Sequence, residues 1–467
     1  MNIIKDMPRW LKEHAGIIAL DRGKTLRLIS PQKFRETLVD ELVWTATFSS
    51  DAGTREAARW LIRVAAQNLG VLPASILPLY KAMGRGAVAG FSTPAINIRG
   101  LTYDVSRAIL KVQKRLKAGP VVFEIARSEI GYTHQQPAEY ATSVLAAAIK
   151  EGWQGPIFIQ GDHFQVNAKK FAVDPNSELE AIRGLIREGI AYGFFNIDID
   201  TSTLVDLSHP TVKQQQRLNY EICAEFTKFI RGLEPKGVAI SVGGEIGEVG
   251  KKNTTVEEFE AYMGGYLETL GKGISEGISK ISIQTGTSHG GIPLPDGTIA
   301  KVKIDFETLR KISEVARAKY GLAGAVQHGA STLAEDLFDH FPKNQTAEVH
   351  LATEFQNIIY NHPLFPAALK DEIHQYLRKT CADERKDGET EEQFLYKTRK
   401  KALGPFKQQM WSFSAEVRGK ICATLEQKFE TLFRKLQVVG VLPQVEKYVK
   451  PVEITPTAPA LLQNKAA

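Results

Sequence analysis

At 467 residues the chain is longer than one domain of ordinary size, so a second domain or sizeable additions to a first are required. Hydrophobic residues at 43% and charged residues at 24% exclude wholesale disorder, and a net charge of +6 is too mild for a dedicated nucleic-acid binder while leaving room for a basic pocket. Three scattered cysteines, Cys223, Cys381 and Cys422, exclude a disulfide framework and a CxxC zinc site.

The first residues, MNIIKDMPRWLKEH, lack the apolar run of a signal peptide. No apolar stretch approaches the roughly 18 residues of a membrane helix, so a cytoplasmic location without membrane contact is expected. Residues 1–72 read as a helical extension, because PQKFRETLVDELVW and REAARWLIRVAAQNLG repeat apolar residues at three- and four-residue spacing. From residue 73 short apolar runs alternate with helical stretches. Eight candidate strands fall around 88–97, 121–127, 157–162, 194–200, 238–245, 280–286, 322–328 and 347–353. Strands alternating with helices predict a parallel sheet, and eight strands are the number that closes a (β/α)8 barrel. An open doubly wound sheet is the rival. The barrel is expected over 73–440, with a polar insertion at about 361–400, a strong closing helix in SFSAEVRGKICATLEQKFETLFRKL, and a loose tail over 441–467 rich in Pro, Thr, Ala and Lys.

Metal-competent residues gather at the predicted strand ends. The third strand ends in Asp162-His163, the fourth in Asp198 and Asp200, and the fifth in Gly-Gly-Glu245. The sixth runs into Thr-Ser-His289-Gly-Gly and the seventh ends in Gln327-His328-Gly. A closed barrel brings all these ends to one face, where three imidazoles and an open position make a common catalytic zinc arrangement. Taken singly, each histidine is more often a hydrogen-bonded structural residue, Glu245 a solvated carboxylate, and each following glycine a turn residue. Repetition on successive strands is what favours the metal.

These segments together resemble the class II, zinc-dependent fructose-bisphosphate aldolase family over roughly residues 73–435. PAIN with Asn97 is similar to the family's first-strand segment, GDHF to its Asp-His pair, and Ile-Asp200-x-Ser to its fourth-strand signature. Glu245-Ile-Gly is similar to its Glu-Leu-Gly, and TSHGG and QHGAS to its two His-Gly motifs. The resemblance implies His163, His289 and His328 as ligands of Zn2+ or another divalent ion, with Asp200 and Glu245 as supporting or alternate metal-site carboxylates and a monovalent cation as a further candidate. It implies Asp162 as the acid/base at the C4 hydroxyl, Asn97 as a substrate contact, and Ser128 against the ketose-derived half. Gly290, Gly329, Ser331 and Thr353 would cradle a phosphate. The implied reaction is reversible retro-aldol cleavage of a phosphorylated ketose, fructose- or tagatose-bisphosphate-like, in carbohydrate metabolism of the glycolytic type. The implied partner is that sugar phosphate, and a homo-oligomer, a dimer or larger, is expected.

The sequence also departs from the family. HGAS replaces His-Gly-Gly-Ser, and HLAT replaces Asn-Ile-Asp/Gly-Thr, so His350 stands where an asparagine would contact substrate and Ala352 offers no carboxylate. Where the family often carries a pair of glutamates after Glu245, this chain has Val-Gly-Lys251-Lys252-Asn. A lysine base would need a strongly lowered pKa, so Lys251 and Lys252 are expected to hold an anionic group. Glu248, then Glu257 or Glu258, is expected to exchange the enediolate proton. Three rivals stay open: a Schiff-base aldolase, which needs a lysine near a strand end and has only Lys280 at a strand start; another zinc-dependent barrel enzyme, a hydrolase or epimerase; and a degenerate barrel that binds or scaffolds sugar phosphates.

Overall fold

The computed structural model describes residues 2–21, 25–247, 252–286 and 304–463. Eleven strands occur among them. β1 (Ile18–Asp21) and β2 (Thr25–Leu28) form an antiparallel hairpin, and β3 (Val71–Pro73) precedes the barrel. β4 (Thr93–Asn97), β5 (Val122–Ala126), β6 (Gly155–Gln165), β7 (Asn196–Asp200), β8 (Ser241–Gly247), β9 (Lys280–Ile283), β10 (Ala325–Gln327) and β11 (Glu348–Leu351) follow. Every pairing among these eight is parallel, and β11 returns to β4, closing a (β/α)8 barrel. All eight strands lie where the alternating apolar runs put them. The open-sheet rival is excluded by closure.

The intervening helices carry their own start and stop signals. Pro137–Glu151 begins with proline at its first position and ends at Gly152 with φ +63°. Proline lacks only an N–H that the first turn cannot use, and glycine accepts the left-handed exit. Asp174 caps Pro175–Ala191 through the Ser177 N–H, and Asp305 caps Phe306–Tyr320 through the Thr308 N–H.

Two irregularities shape the barrel. β6 is 11 residues long. β3 pairs with its first residues, 155–157, and β7 joins only from Gln160. Asn196 ties the two together, donating to the Ala74 carbonyl and accepting from the Ile76 N–H. Near its end β6 carries a bulge, the two residues between Gly161 and Phe164 facing the single residue between Ile197 and Ile199 on β7. A Cβ at Gly161 would sit 2.4 Å from the Phe164 ring, so glycine is what lets the ring fold back there. His163 takes φ +41°, a left-handed backbone costing a non-glycine residue on the order of 1–3 kcal/mol.

The additions to the barrel are docked onto it. In the segment 1–72 the helices Val39–Phe48 and Ala52–Asn68 pack on the barrel helices. Arg35 donates to the Ile149 carbonyl, Tyr103 and Lys150 both reach Asp40, and Arg63 donates to the Ala191 carbonyl. The β1–β2 hairpin within it was not foreseen from the helical periodicity. Residues 361–400 fold into Ala367–Thr380 and Glu391–Thr398 with a buried Leu369, Ile373, Leu377 and Phe394. The tail, expected loose, is held where it is described: the Trp60 indole donates to the Pro456 carbonyl, and Val445, Val449 and Leu462 are buried. No described helix is long and apolar enough to cross a membrane.

Candidate metal centre and cavity

Consecutive residues of a regular strand point to opposite faces. The bulge at the end of β6 breaks that rule, and Asp162 and His163 both face one cavity at the C-terminal ends of the strands. The cavity holds about 410 Å³. Its walls include Asn97, Ser128, Asp162, His163, His328, Gly329, Ser331, His350 and Thr353.

His163 is the hub. Its Nδ1 lies 2.9 Å from a Glu245 oxygen and 3.3 Å from Asp200 Oδ2. Its Nε2 lies 3.0 Å from His328 Nδ1. On the other side of His328, Nε2 meets Ser282 Oγ at 2.9 Å. Asp200 is itself fixed by the Ser202 hydroxyl and backbone N–H and by the Gln165 amide. Donor atoms of His163, Glu245 and His328 lie within 4.8 Å of one another. Two imidazole nitrogens and a carboxylate oxygen suit zinc, an ion of borderline softness, or a neighbouring divalent ion, and a carboxylate behind the histidine orients it. The residues present therefore fit the ion the resemblance implies. Burial opposes charge on His163, but Asp162, Glu245 and Asp200 outweigh it and raise its pKa well above the ordinary range. Burial, then repulsion from Asp200, pushes Glu245 up to about 7.

Asp162 is buried beside this group. It accepts from the Asn97 amide at 2.9 Å and meets His350 Nδ1 at 3.1 Å. Burial would raise its pKa, yet the charges of His163 and His350 hold it well below the carboxylate range. Asn97 also donates to Glu129 at 2.7 Å, and Glu129 pairs with Arg99 at 2.6 Å. Arg99 in turn donates to Thr353 Oγ1 at 3.2 Å.

Below the cavity lies a polar layer that sequence reasoning missed. Lys280 is 1% exposed and bonds Gln160 at 2.8 Å, Asp198 at 2.9 Å, and Glu348. Gln160 donates to both Glu124 and Glu348, and Tyr80 donates to Glu348. His350 bridges the layers, with Nδ1 at 3.1 Å from Glu124 and Nε2 at 2.7 Å from Glu348. Gly243 is required here, since a Cβ would lie 2.3 Å from Asp198 Oδ1. Burial, then the Asp162 charge, raises Glu124 to about 8, whereas Lys280 overrides burial and depresses Glu348. The available signal was polar residues at inward positions of strands otherwise rich in Ile and Val.

The predicted site residues therefore divide in three. Asp162, His163, His328, Asp200, Glu245 and Asn97 are brought together. Ser128, Gly329, Ser331 and Thr353 line the same cavity, with Gly329 at φ +66°. His289, Gly290, Glu248 and Lys251 lie outside the described residues. Of the remaining base candidates, Glu257 is exposed, and Glu258 is spent elsewhere: it closes the capping box of Val256–Leu270 with Thr255 and pairs with Lys252 at 3.3 Å. That removes Glu258 as the proton-exchanging group and gives Lys252 a structural partner. Arg99, Glu129, Tyr132 and Lys400 also wall the cavity and were not foreseen.

The family model described as fructose-bisphosphate aldolase class-II matches residues 80–422. No curated protein matches the sequence. Among solved structures, a protein of Sinorhizobium meliloti described as a probable tagatose 6 phosphate kinase is similar at TM-score 0.53 and 17% identity, over 80% of this chain and 96% of that one. The fructose-bisphosphate aldolase of Campylobacter jejuni is similar at TM-score 0.46 and 18% identity, over 79% and 96%. The YdjI aldolase of Escherichia coli K12 is similar at 0.46 and 11%, over 79% and 98%.

Proposed function

The chain belongs to the class II fructose-bisphosphate aldolase family, and on that premise we propose that it is a metal-dependent aldolase acting in the cytoplasm. It cleaves a phosphorylated ketose reversibly into a dihydroxyacetone-phosphate-like ketone and an aldehyde. The observation that carries this reading is the β6 bulge, which turns Asp162 and His163, adjacent in sequence, into one cavity.

The proposed chemistry follows from the residues. Asp162, oriented by the Asn97 amide and set beside His350, accepts the proton of the hydroxyl on the carbon that becomes the aldehyde. As that O–H breaks, the carbon–oxygen double bond forms and the adjacent C–C bond gives its electron pair to the ketone half as an enediolate. His163 and His328, with Glu245 close by and His289 implied by the family, would hold a divalent ion, which when bound supplies Lewis-acid stabilisation of that developing charge. Asp200 and Glu245 hold the His163 ring in position. The proton that completes the ketone comes from a second group, for which Glu248 is the candidate. The Schiff-base route is disfavoured: burial opposes charge on Lys280, but Asp198 and Glu348 outweigh it and hold the amine as ammonium, which is no nucleophile.

The test is metal analysis of the purified protein together with a screen of ketose mono- and bisphosphates for cleavage. The reading expects a bound divalent ion, loss of activity on chelation, and recovery with zinc or cobalt. Full activity in metal-free protein would overturn it.

A further inference from the structure

The segment beyond β11 was read from its composition as a polar insertion, yet it contributes Lys400 to the wall of the cavity. Its last turn, Arg399–Ala402, is fixed from both sides. On one side Arg399 donates to Asn361 and Asn357, and its carbonyl accepts from Tyr360 at 3.0 Å. These partners lie on Thr353–Asn361, the helix that begins where β11 opens into the cavity. On the other side the Gly404 N–H donates to the Tyr132 carbonyl at 3.1 Å, and Lys407 donates to the His134 carbonyl and pairs with Glu139. A Cβ at Gly404 would stand 2.6 Å from the Tyr132 carbonyl, so the turn sits as close to Arg127–Thr133 as a backbone can.

This clamp sets Lys400 over the Tyr132 ring, 5.8 Å from its centroid, on the cavity wall. The neighbouring Lys401 pairs with Glu384 and Lys397 with Glu389. Lys400 forms no ion pair among the described residues. Arg99 is its electrostatic neighbour, and the single carboxylate between them, Glu129, is already shared with Arg99, Asn97 and the Ala126 N–H. Lys400 is thus a cation on the cavity wall that no ion pair answers among the described residues. It faces the end of the cavity where Ser331, Thr353 and Gly329 stand.

We propose that Lys400, delivered by the segment after β11, is an anion anchor that with Arg99 binds the phosphoryl group of the substrate at the Ser331–Thr353 end of the cavity. A phosphoryl dianion offers three acceptor oxygens. A guanidinium, an ammonium, two hydroxyls and a glycine that lets backbone approach closely match that number better than they match a carboxylate. The assignment rests on the sugar-phosphate reading of this cavity. It adds a residue whose position depends on this chain's own clamp.

The test needs no turnover. Binding of inorganic phosphate to the full chain is measured by calorimetry, as purified and again after chelation, with acetate as the comparison anion. Lys400→Met is expected to weaken phosphate binding about tenfold or more, the loss of one charge-assisted contact. Lys400→Arg restores it to within about threefold, and Lys401→Met binds as the wild type does. With a cleavable ketose phosphate, Lys400→Met raises KM more than it lowers kcat. Phosphate binding equal in Lys400→Met and wild type would overturn the assignment. An equal loss for acetate and phosphate would overturn its phosphoryl specificity. Because the binding arm is independent of cleavage, a chain that cleaves no ketose but loses phosphate with Lys400 refutes the aldolase reading and keeps the anchor. A chain that cleaves ketose phosphates with a normal Lys400→Met KM does the reverse.

Discussion

Two layers of the barrel interior use the same residue types to opposite ends. In the lower layer Lys280 is met by Asp198, Glu348 and Gln160, and Glu348 is met again by Tyr80 and His350. In the upper layer two imidazole nitrogens face each other across 3.0 Å at the edge of a cavity. The lower layer is held by ion pairs within itself, although Glu124 Oε1 and both Asp198 oxygens accept no hydrogen bond. The upper converges ligand atoms on a space that something else can fill. Burial alone therefore does not mark function: cations and carboxylates matched to one another build a scaffold, and like donors aimed together over an opening build a site.

The comparison breaks most visibly in the upper layer. His163→Ala removes a proposed ligand and the hub of the cluster. It is expected to lose the ion and at least about 10³-fold in rate, since Lewis-acid stabilisation amounts to several kcal/mol. Asp162→Ala should keep the ion and lose about 10²–10⁴ in kcat, as for a general acid/base. Metal content by atomic emission, read beside the cleavage rate, separates the two. An Asp162→Ala enzyme with wild-type kcat would remove that residue from the chemistry.

The same operation in the lower layer should be read as stability. Lys280→Met leaves Asp198 and Glu348 buried without their cation and is expected to cost about 3–5 kcal/mol, measured by denaturant unfolding of the chelated protein. Loss of metal with unchanged stability would place Lys280 functionally in the upper layer and dissolve the distinction.

A third variant sharpens the boundary. Asp200 touches His163 but is not among the three converging donors. Asp200→Asn is expected to weaken metal affinity about 10–100-fold while leaving a folded, loadable enzyme. Competition with a chromophoric chelator measures this, and an unchanged affinity would show that Glu245 alone orients the ring.

Much of this was legible in the sequence because period and punctuation survive without tertiary context. The eight strands announced themselves as apolar runs between helices, and Asp162, His163, His328 and Glu245 stood at their ends. The bulge was not legible: GDHF reads as a strand end, and only the contact of Phe164 with Gly161 shows that both polar residues turn inward. The lower layer was hidden because Lys280, Asp198 and Glu348 acquire partners only when strands distant in sequence become neighbours. The wall carrying Lys400 was hidden by composition. Its outer faces are charged, yet Leu369, Ile373 and Leu377 fall at four-residue spacing on one buried stripe, a signal that the charge count masked.

A pH-dependent effect is expected where the layers meet. Glu124 is buried against Gln160, His350, Asp162 and Glu348. Burial first, then Asp162, raises its folded pKa to about 8 from 4.5. A raised folded pKa means that the folded chain holds a proton the unfolded chain has released. Its contribution is whole below pH 4.5, falls as pH rises toward 8, and is fully lost above that. The limiting slope is about 1.4 kcal/mol per pH unit, reduced by the coupling of Glu124 to its neighbours. Glu124→Gln keeps an acceptor for the Gln160 amide and abolishes the titration. Unfolding free energies of the two chelated proteins should therefore lie closest near pH 5, with the wild type losing ground to the variant as pH rises and the gap levelling off above pH 8. Parallel stability curves from pH 5 to 9 would mean that Glu124 is ionised throughout, held so by His350, and that the boundary residue belongs electrostatically to the lower layer.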